Sequence, residues 1–203
     1  MTILKTLITT AVILSFASCA KIYYSVDARA LAARHKIIAI IPPTVSIAAS
    51  RKVSAEAMKE QQKTESINFQ NEMYSWLLRR KMQNNLLQEI QEIATTNSKL
   101  KKAGYPDTLL STAELCQILG VDGVLTSDYG LRKPLSAGAA IAVGALFGVF
   151  GSTNEVKVSL SLSDCSNKKL IWNYNHRISG GLGSSAGGAV DALMRRASKR
   201  MPY

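Results

Sequence analysis

The spacing of apolar positions changes several times along the chain, and each change predicts an element. Lys36 to Ile41 reads KIIAII and is stopped by Pro42-Pro43. A continuous β-branched run of this kind predicts a strand buried on both faces. Val45-Ser46-Ile47 predicts a brief extension of it. From Ser54 the period becomes helical. Phe69, Met73, Trp76, Leu77 and Arg80 share one stripe, Ser54 is placed to cap, and Glu56 suits the positive end of the helix dipole. The following LLQEIQEI fits helical spacing better than alternation but reads both ways. Thr96 or Asn97 starts a short helix that Gly104 closes, and Pro106 marks a turn. Ser111 and Glu114 form a capping box for a helix through Leu119, ended by Gly120. Val121 to Thr126 predicts a short strand. Glu155 to Ser163 (EVKVSLSLS) alternates strictly, as a half-buried antiparallel strand does. Asp164 to Lys168 is its turn, and Lys169 to Ile178 is the return strand. A glycine-rich loop leads to a last helix with Val190, Leu193, Met194, Ala197 and Met201 on one face. The order predicts an α/β (α+β) domain, a two-layer mixed sheet with packed helices.

The beginning of the chain reads as an address. Lys5 and the apolar run Leu7 to Phe16 (LITTAVILSF) are too short for a spanning helix and suit a secretory signal. The signal ends in Phe16-Ala17-Ser18-Cys19, small residues before a cysteine. These residues resemble the lipobox of bacterial lipoproteins, in which the cysteine carries lipid and becomes the first residue. The organisation expected is a signal peptide over 1–18, a lipidated tether over 19–35 with a short helix capped by Ser25, and one domain over 36–203. One acyl chain holds a protein weakly, at about 0.8 kcal/mol per buried CH₂, whereas the three chains of bacterial lipoproteins hold it permanently. Ala20 follows the cysteine, which in the proteobacterial sorting pattern implies the outer membrane, facing the periplasm.

Charge changes the picture of partners. The chain has 25 Lys and Arg against 14 Asp and Glu, a net charge of +11. Basic clusters stand at Arg79-Arg80-Lys81, Lys99 to Lys102 and Arg195 to Arg200. An exported chain does not meet nucleic acid. It meets anionic headgroups or glycans, or simply keeps solvated helix faces. Cys116 lies on an apolar helix face and Cys165 near a hairpin turn. Nothing in their spacing brings them together, so they are expected to remain unbridged.

The lipobox, the strand KIIAIIPP, the phrase LGVDGVLTSDY and the paired strands ending in KKLIWNY together resemble the small envelope lipoproteins related to the amino-terminal domain of TolB and the curli-secretion lipoprotein. The likeness spans most of residues 36 to 201. It implies the fold and an envelope role as scaffold, activator or secretion-pore subunit, with no catalytic residue and no cofactor. The partners it implies are the membrane, an envelope protein, or further copies of the chain.

One stretch does not fit an ordinary soluble domain. Gly138 to Gly151 reads GAAIAVGALFGVFG, uncharged and flanked by polar sequence. Each large apolar side chain in this neighbourhood contributes about 1.5–3 kcal/mol when buried, which is too much for a solvated loop. Read as a helix, it places Phe147 and Phe150 on a bulky face, and Gly144-x-x-x-Gly148 gives the spacing at which apolar helices approach closely. Lys133 stands before it, able to reach headgroups. Leu135 to Phe150 is short for a full span. The candidate site residues are therefore Cys19 for lipidation, and Lys133, Gly144, Phe147, Gly148 and Phe150 for membrane contact or self-association over 135–151. The alternative is an insert folded over the domain's own core.

Catalytic readings fail on order and spacing. Gly183-Ser184-Ser185-Ala186-Gly187 matches a nucleophile-elbow pattern, but no histidine follows Ser185, and His35 and His176 are both upstream. Gly180-Gly181-Leu182-Gly183 lacks phosphate-loop spacing. His176 alternates on a strand and reads as exposed or satisfied. No metal-ligand spacing exists around the cysteines.

Overall fold

The computed structural model describes residues 20–48, 54–132, 154–180 and 186–203. The elements are β1 (Lys21–Tyr24), α1 (Ala28–Ala32), β2 (Ile37–Ile40), β3 (Thr44–Ile47), α2 (Ala55–Met82), β4 (Glu89–Ile90), α3 (Ile93–Lys102), α4 (Thr112–Leu119), β5 (Gly123–Arg132), β6 (Asn154–Asp164), β7 (Lys169–Gly180) and α5 (Ala186–Ala197). A 3₁₀ turn, Ser198–Arg200, follows α5. The strands form one mixed sheet in the order β1-β7-β6-β5-β2-β4, with β3 also on β5. The expected mixed sheet with packed helices is present.

β2 and β3 lie end to end along β5, both parallel to it, with Ile40 opposite Leu125 and Thr44 opposite Asp128. Pro42-Pro43 separates them, because proline has no N–H to give to the ladder. β5, β6, β7 and β1 continue as an antiparallel meander. Alternation decides the faces. Ile38 and Ile40 join the larger core with Leu125, Tyr129, Val158, Leu160, Leu162, Trp172 and Tyr174, under α2 and α5. Ala39 and Ile41 point the other way and join Leu100, Leu115, Leu119 and Val124 under α3 and α4. Among the described residues the sheet is thus covered on both faces beside β2, and on one face beside β1, β7 and β6.

Local signals act where the sequence predicts them. Ser54 accepts from the Ala57 N–H at 3.2 Å and starts α2. Ser111 and Glu114 close a reciprocal capping box, and Gly120 ends α4 with φ +66°. The buried face of α2 is Phe69, Gln70, Met73, Trp76 and Leu77, all in its second half. Gln70 is satisfied there by the Ile40 carbonyl at 2.8 Å and by Asn97.

Four expectations change. Residues 20–35 are not a free tether: Lys21 to Tyr24 pair with Asn175 to Trp172, and Ala28, Leu31 and Ala32 of α1 are buried in the larger core. The ambiguous LLQEIQEI yields the two-residue strand β4, parallel to β2, because Gln88 and Gln91 are held by the carbonyls of Ala32 and Leu119 rather than turned to solvent. α3 begins at Ile93, earlier than Thr96. β5 runs on past Thr126 to Arg132, since Ser127 and Tyr129 continue the buried alternation.

Candidate functional site

The sheet has two ends of different chemistry. At one end β5 stops at Arg132, β6 starts at Asn154 and β7 stops at Gly180. At the other, β2 begins, the β6–β7 turn closes and the carboxyl terminus docks. β7 spans twelve residues, so the ends lie roughly 36 Å apart by strand rise.

The second end is built on buried polar groups. His35 Nε2 is 2.8 Å from Asp164 Oδ1, and both side chains are almost fully buried. With Asp164 ionised, Nε2 donates to it, and Nδ1 shares a hydrogen bond with the Tyr203 hydroxyl at 2.8 Å. Asp164 Oδ2 accepts from the Ser166 hydroxyl and the Asn167 N–H, both at 2.7 Å. Burial would push the Asp164 carboxyl up, but the Ser166, Asn167 and His35 contacts outweigh it and hold the group below the usual aspartate value. Burial first, and then the charges of Asp164 and Asp122, push the Tyr203 phenol far up, so it stays a neutral donor.

The phrase LGVDGV supplies the supports of this cluster. Asp122 Oδ2 accepts from the N–H groups of Lys36 and Ile37 at 2.7 and 3.0 Å and so anchors the start of β2. The Asp122 carbonyl accepts from the Cys165 N–H at 2.9 Å. A Cβ on Gly123 would stand 2.7 Å from His35 Nδ1, so only glycine leaves room for the imidazole.

Cys116 and Cys165 form a disulfide with 5.5 Å between Cα atoms. This corrects the expectation of two unbridged thiols. β6 is antiparallel to β5, and its end at Asp164 lies opposite Gly123, just past the helix that carries Cys116. The signal for the bridge lay in that pairing rather than in the spacing of the cysteines.

A shallow cleft of about 770 Å³ opens beside the cluster, lined by Arg34, Glu114, Gln117, Asp122, Ser166 and Lys168 among others. Both ring nitrogens of His35 are taken, so the cluster offers no free base to the cleft. Its chemistry is positioning: it fastens the last residue, the β6–β7 turn and the start of β2 to one another. Among the described residues, no group of His, Cys, Asp and Glu is arranged to hold a metal ion. His176 is buried, edge-on to Tyr174 at 5.9 Å, rather than exposed.

The predicted site residues fall elsewhere. Cys19, Lys133, Gly144, Phe147, Gly148 and Phe150 lie outside the described residues, as do Ser184 and Ser185. Among the described residues, no helix is long and apolar enough to cross a membrane.

No protein-family model and no curated protein sequence matches the chain. Solved structures with a similar fold include the PelC dodecamer from Paraburkholderia phytofirmans, 12% identical over 91% of this chain and 96% of that one, with a TM-score of 0.48. Lipoprotein GNA1162 from Neisseria meningitidis is 15% identical over 81% of this chain and 95% of its own, with a TM-score of 0.44. The C-terminal domain of LpoB from Escherichia coli is 11% identical over 75% and 95%, with a TM-score of 0.38.

Proposed function

We propose that this chain is a non-enzymatic lipoprotein of the bacterial envelope, fixed to the outer membrane through lipid on Cys19 and facing the periplasm. It acts as a scaffold or assembly factor for a protein partner or for its own copies. Lys133, Gly144, Phe147, Gly148 and Phe150 of the apolar insert meet the membrane or a neighbouring copy.

The observation that carries this reading is a coincidence of position. Lys21, two residues after Cys19, stands opposite Asn175. Arg132, where the chain leaves for the insert, stands opposite Glu155, which stands opposite Ser179. The two points are roughly 13 Å apart along the strands and 14 Å across them, Lys21 level with the middle of β7 and Arg132 level with its end. β1 runs so that going back from Lys21 towards Cys19 leads further towards that end. In this reading an anchor at Cys19 and an insert leaving from Arg132 together give the domain a membrane side, with the His35 cluster and its cleft on the side away from it.

The test is fractionation. Wild-type protein stays with membranes through a high-salt wash, and a Cys19→Ser variant is released to the soluble fraction or held as uncleaved precursor. A Cys19→Ser protein that is cleaved and still fractionates as wild type refutes the anchor. A second reading, a secretion-channel subunit, is favoured by the Gly144-x-x-x-Gly148 spacing. It requires a ring of many copies in detergent, and a monomer that leaves liposomes intact excludes it.

A further inference from the structure

The outer surface of α5, together with Arg79 of α2, carries more cations than carboxylates. Arg195 donates to Asp191 at 2.7 Å, and the same carboxylate accepts the Trp76 indole N–H at 3.1 Å. Arg79 lies over the Trp76 ring at 4.2 Å from its centroid. These contacts join α2 to α5 and hold two guanidinium groups, Arg79 on the Trp76 ring and Arg195 on the Asp191 carboxylate. Arg195 keeps 62% of its side-chain surface in solvent despite its ion pair. Arg196, Lys199 and Arg200 are exposed and form no salt bridge among the described residues. Arg195 and Arg196 in the last turn of α5 and Lys199 and Arg200 in the 3₁₀ turn follow one another within six residues. The helix dipole accounts for cations in the last turn of α5. It does not account for Lys199 and Arg200, which lie beyond the helix in the 3₁₀ turn.

We propose that the outer face of α5 and its 3₁₀ turn, with Arg79 of α2, is a docking surface for an acidic, carboxylate-bearing segment of a protein partner. It rests on the scaffold reading above and names the partner's chemistry. Charge complementarity selects the occupant. Four of the five cations are arginine, whose planar fork takes a carboxylate through two parallel hydrogen bonds, whereas lysine acts as a point charge. Arg195, Arg196 and Arg200 present their forks close together in sequence, so a segment carrying several Asp or Glu residues meets more than one at once. Holding Arg79 and Arg195 in place before binding lowers the ordering cost that free arginine side chains would bring.

The test uses the full lipidated chain purified in detergent and poly-L-glutamate as the probe, with binding read by fluorescence anisotropy at about 0.1 M salt. The paired substitution Arg196→Glu with Arg200→Glu weakens binding by about tenfold or more, since repulsion replaces attraction at two forks. Lys59→Glu with Lys63→Glu makes the same charge change on the exposed first half of α2 and shifts binding less than about twofold if the surface is local. Equal losses in both pairs would mean bulk charge alone and overturn the proposal. So would absence of binding by wild type, or binding to vesicles containing anionic phosphatidylglycerol without binding to the polypeptide. Circular dichroism confirms that each variant is folded. Binding of poly-L-glutamate by protein whose Cys19 carries no lipid would keep this surface and remove the anchor; lipidated protein that ignores the probe would do the reverse.

Discussion

β6 is joined to its two neighbours by connections that differ in almost every respect. To β7 it is joined by four residues, Cys165 to Lys168, and that turn is held by Asp164, by the Cys165 N–H on Asp122 and by a disulfide. To β5 it is joined by the 21 residues 133–153, rich in glycine, alanine and large apolar side chains. Both pairs are antiparallel neighbours over ten or more residue pairs, unbroken between β5 and β6 and shifted once, after Leu162, between β6 and β7. The short connection shows what the pairing needs. Closing a loop grows dearer only slowly with length, so the long connection costs little, but nothing in the strand pairing calls for it. Under the proposed function its apolar content serves contact with the membrane or another copy; the alternative is that it covers the domain's own core.

The largest effect expected from breaking this contrast is at the short connection. Replacing Cys116 and Cys165 with alanine removes a bridge over 49 residues of chain and lowers stability by about 4 kcal/mol on the chain-entropy scale. Chemical denaturation of oxidised wild type against the double variant measures it, and dithiothreitol should bring wild type to the variant's value. Asp164→Ala follows, at about 3 kcal/mol, because it leaves His35, Ser166 and the Asn167 N–H without their acceptor. Gly123→Ala should approach the same loss by driving a methyl into His35, and His35→Ala in the same chain should recover part of it.

The long connection should respond differently. Replacing 133–153 with a four-residue turn is expected to leave the domain folded and about 1–1.5 kcal/mol more stable by loop closure. The same change should weaken membrane contact or self-association, measured by flotation with liposomes and by size in detergent. A domain that loses several kcal/mol instead would show that the segment completes the core.

The smallest effect is titration. Burial first, and then the charge of Arg196, holds the His176 imidazole below its ordinary value of 6.5. A base with a depressed folded value takes up its proton more readily when unfolded, so its contribution is complete above pH 6.5 and is lost as pH falls below it. Urea midpoints should decline as pH falls below about 6.5, and His176→Gln should flatten that decline.

Local structure was legible where one residue type has one physical use. Ser111 and Glu114 specify a capping box, Gly120 a left-handed stop, and EVKVSLSLS a strand with one face in water. Elements defined by a distant partner were not legible. KIYY has no apolar alternation strong enough to declare a strand, and it becomes one because β7 offers an edge at Trp172 to Asn175. The disulfide and the His35–Asp164 contact join residues 49 and 129 positions apart, and both depend on the antiparallel return of β6. The phrase LGVDGV was legible as a pattern but not as chemistry. Its glycine and aspartate serve the imidazole and the first N–H groups of β2.

The account stands on the modification of one residue. The intact mass of the amino-terminal tryptic peptide, from protein extracted from membranes, measures it directly. A peptide beginning at Cys19 and heavier by a diacylglycerol with or without a further acyl chain is the result expected. A peptide that begins upstream of Cys19, or that begins at Cys19 with no added mass, would contradict it.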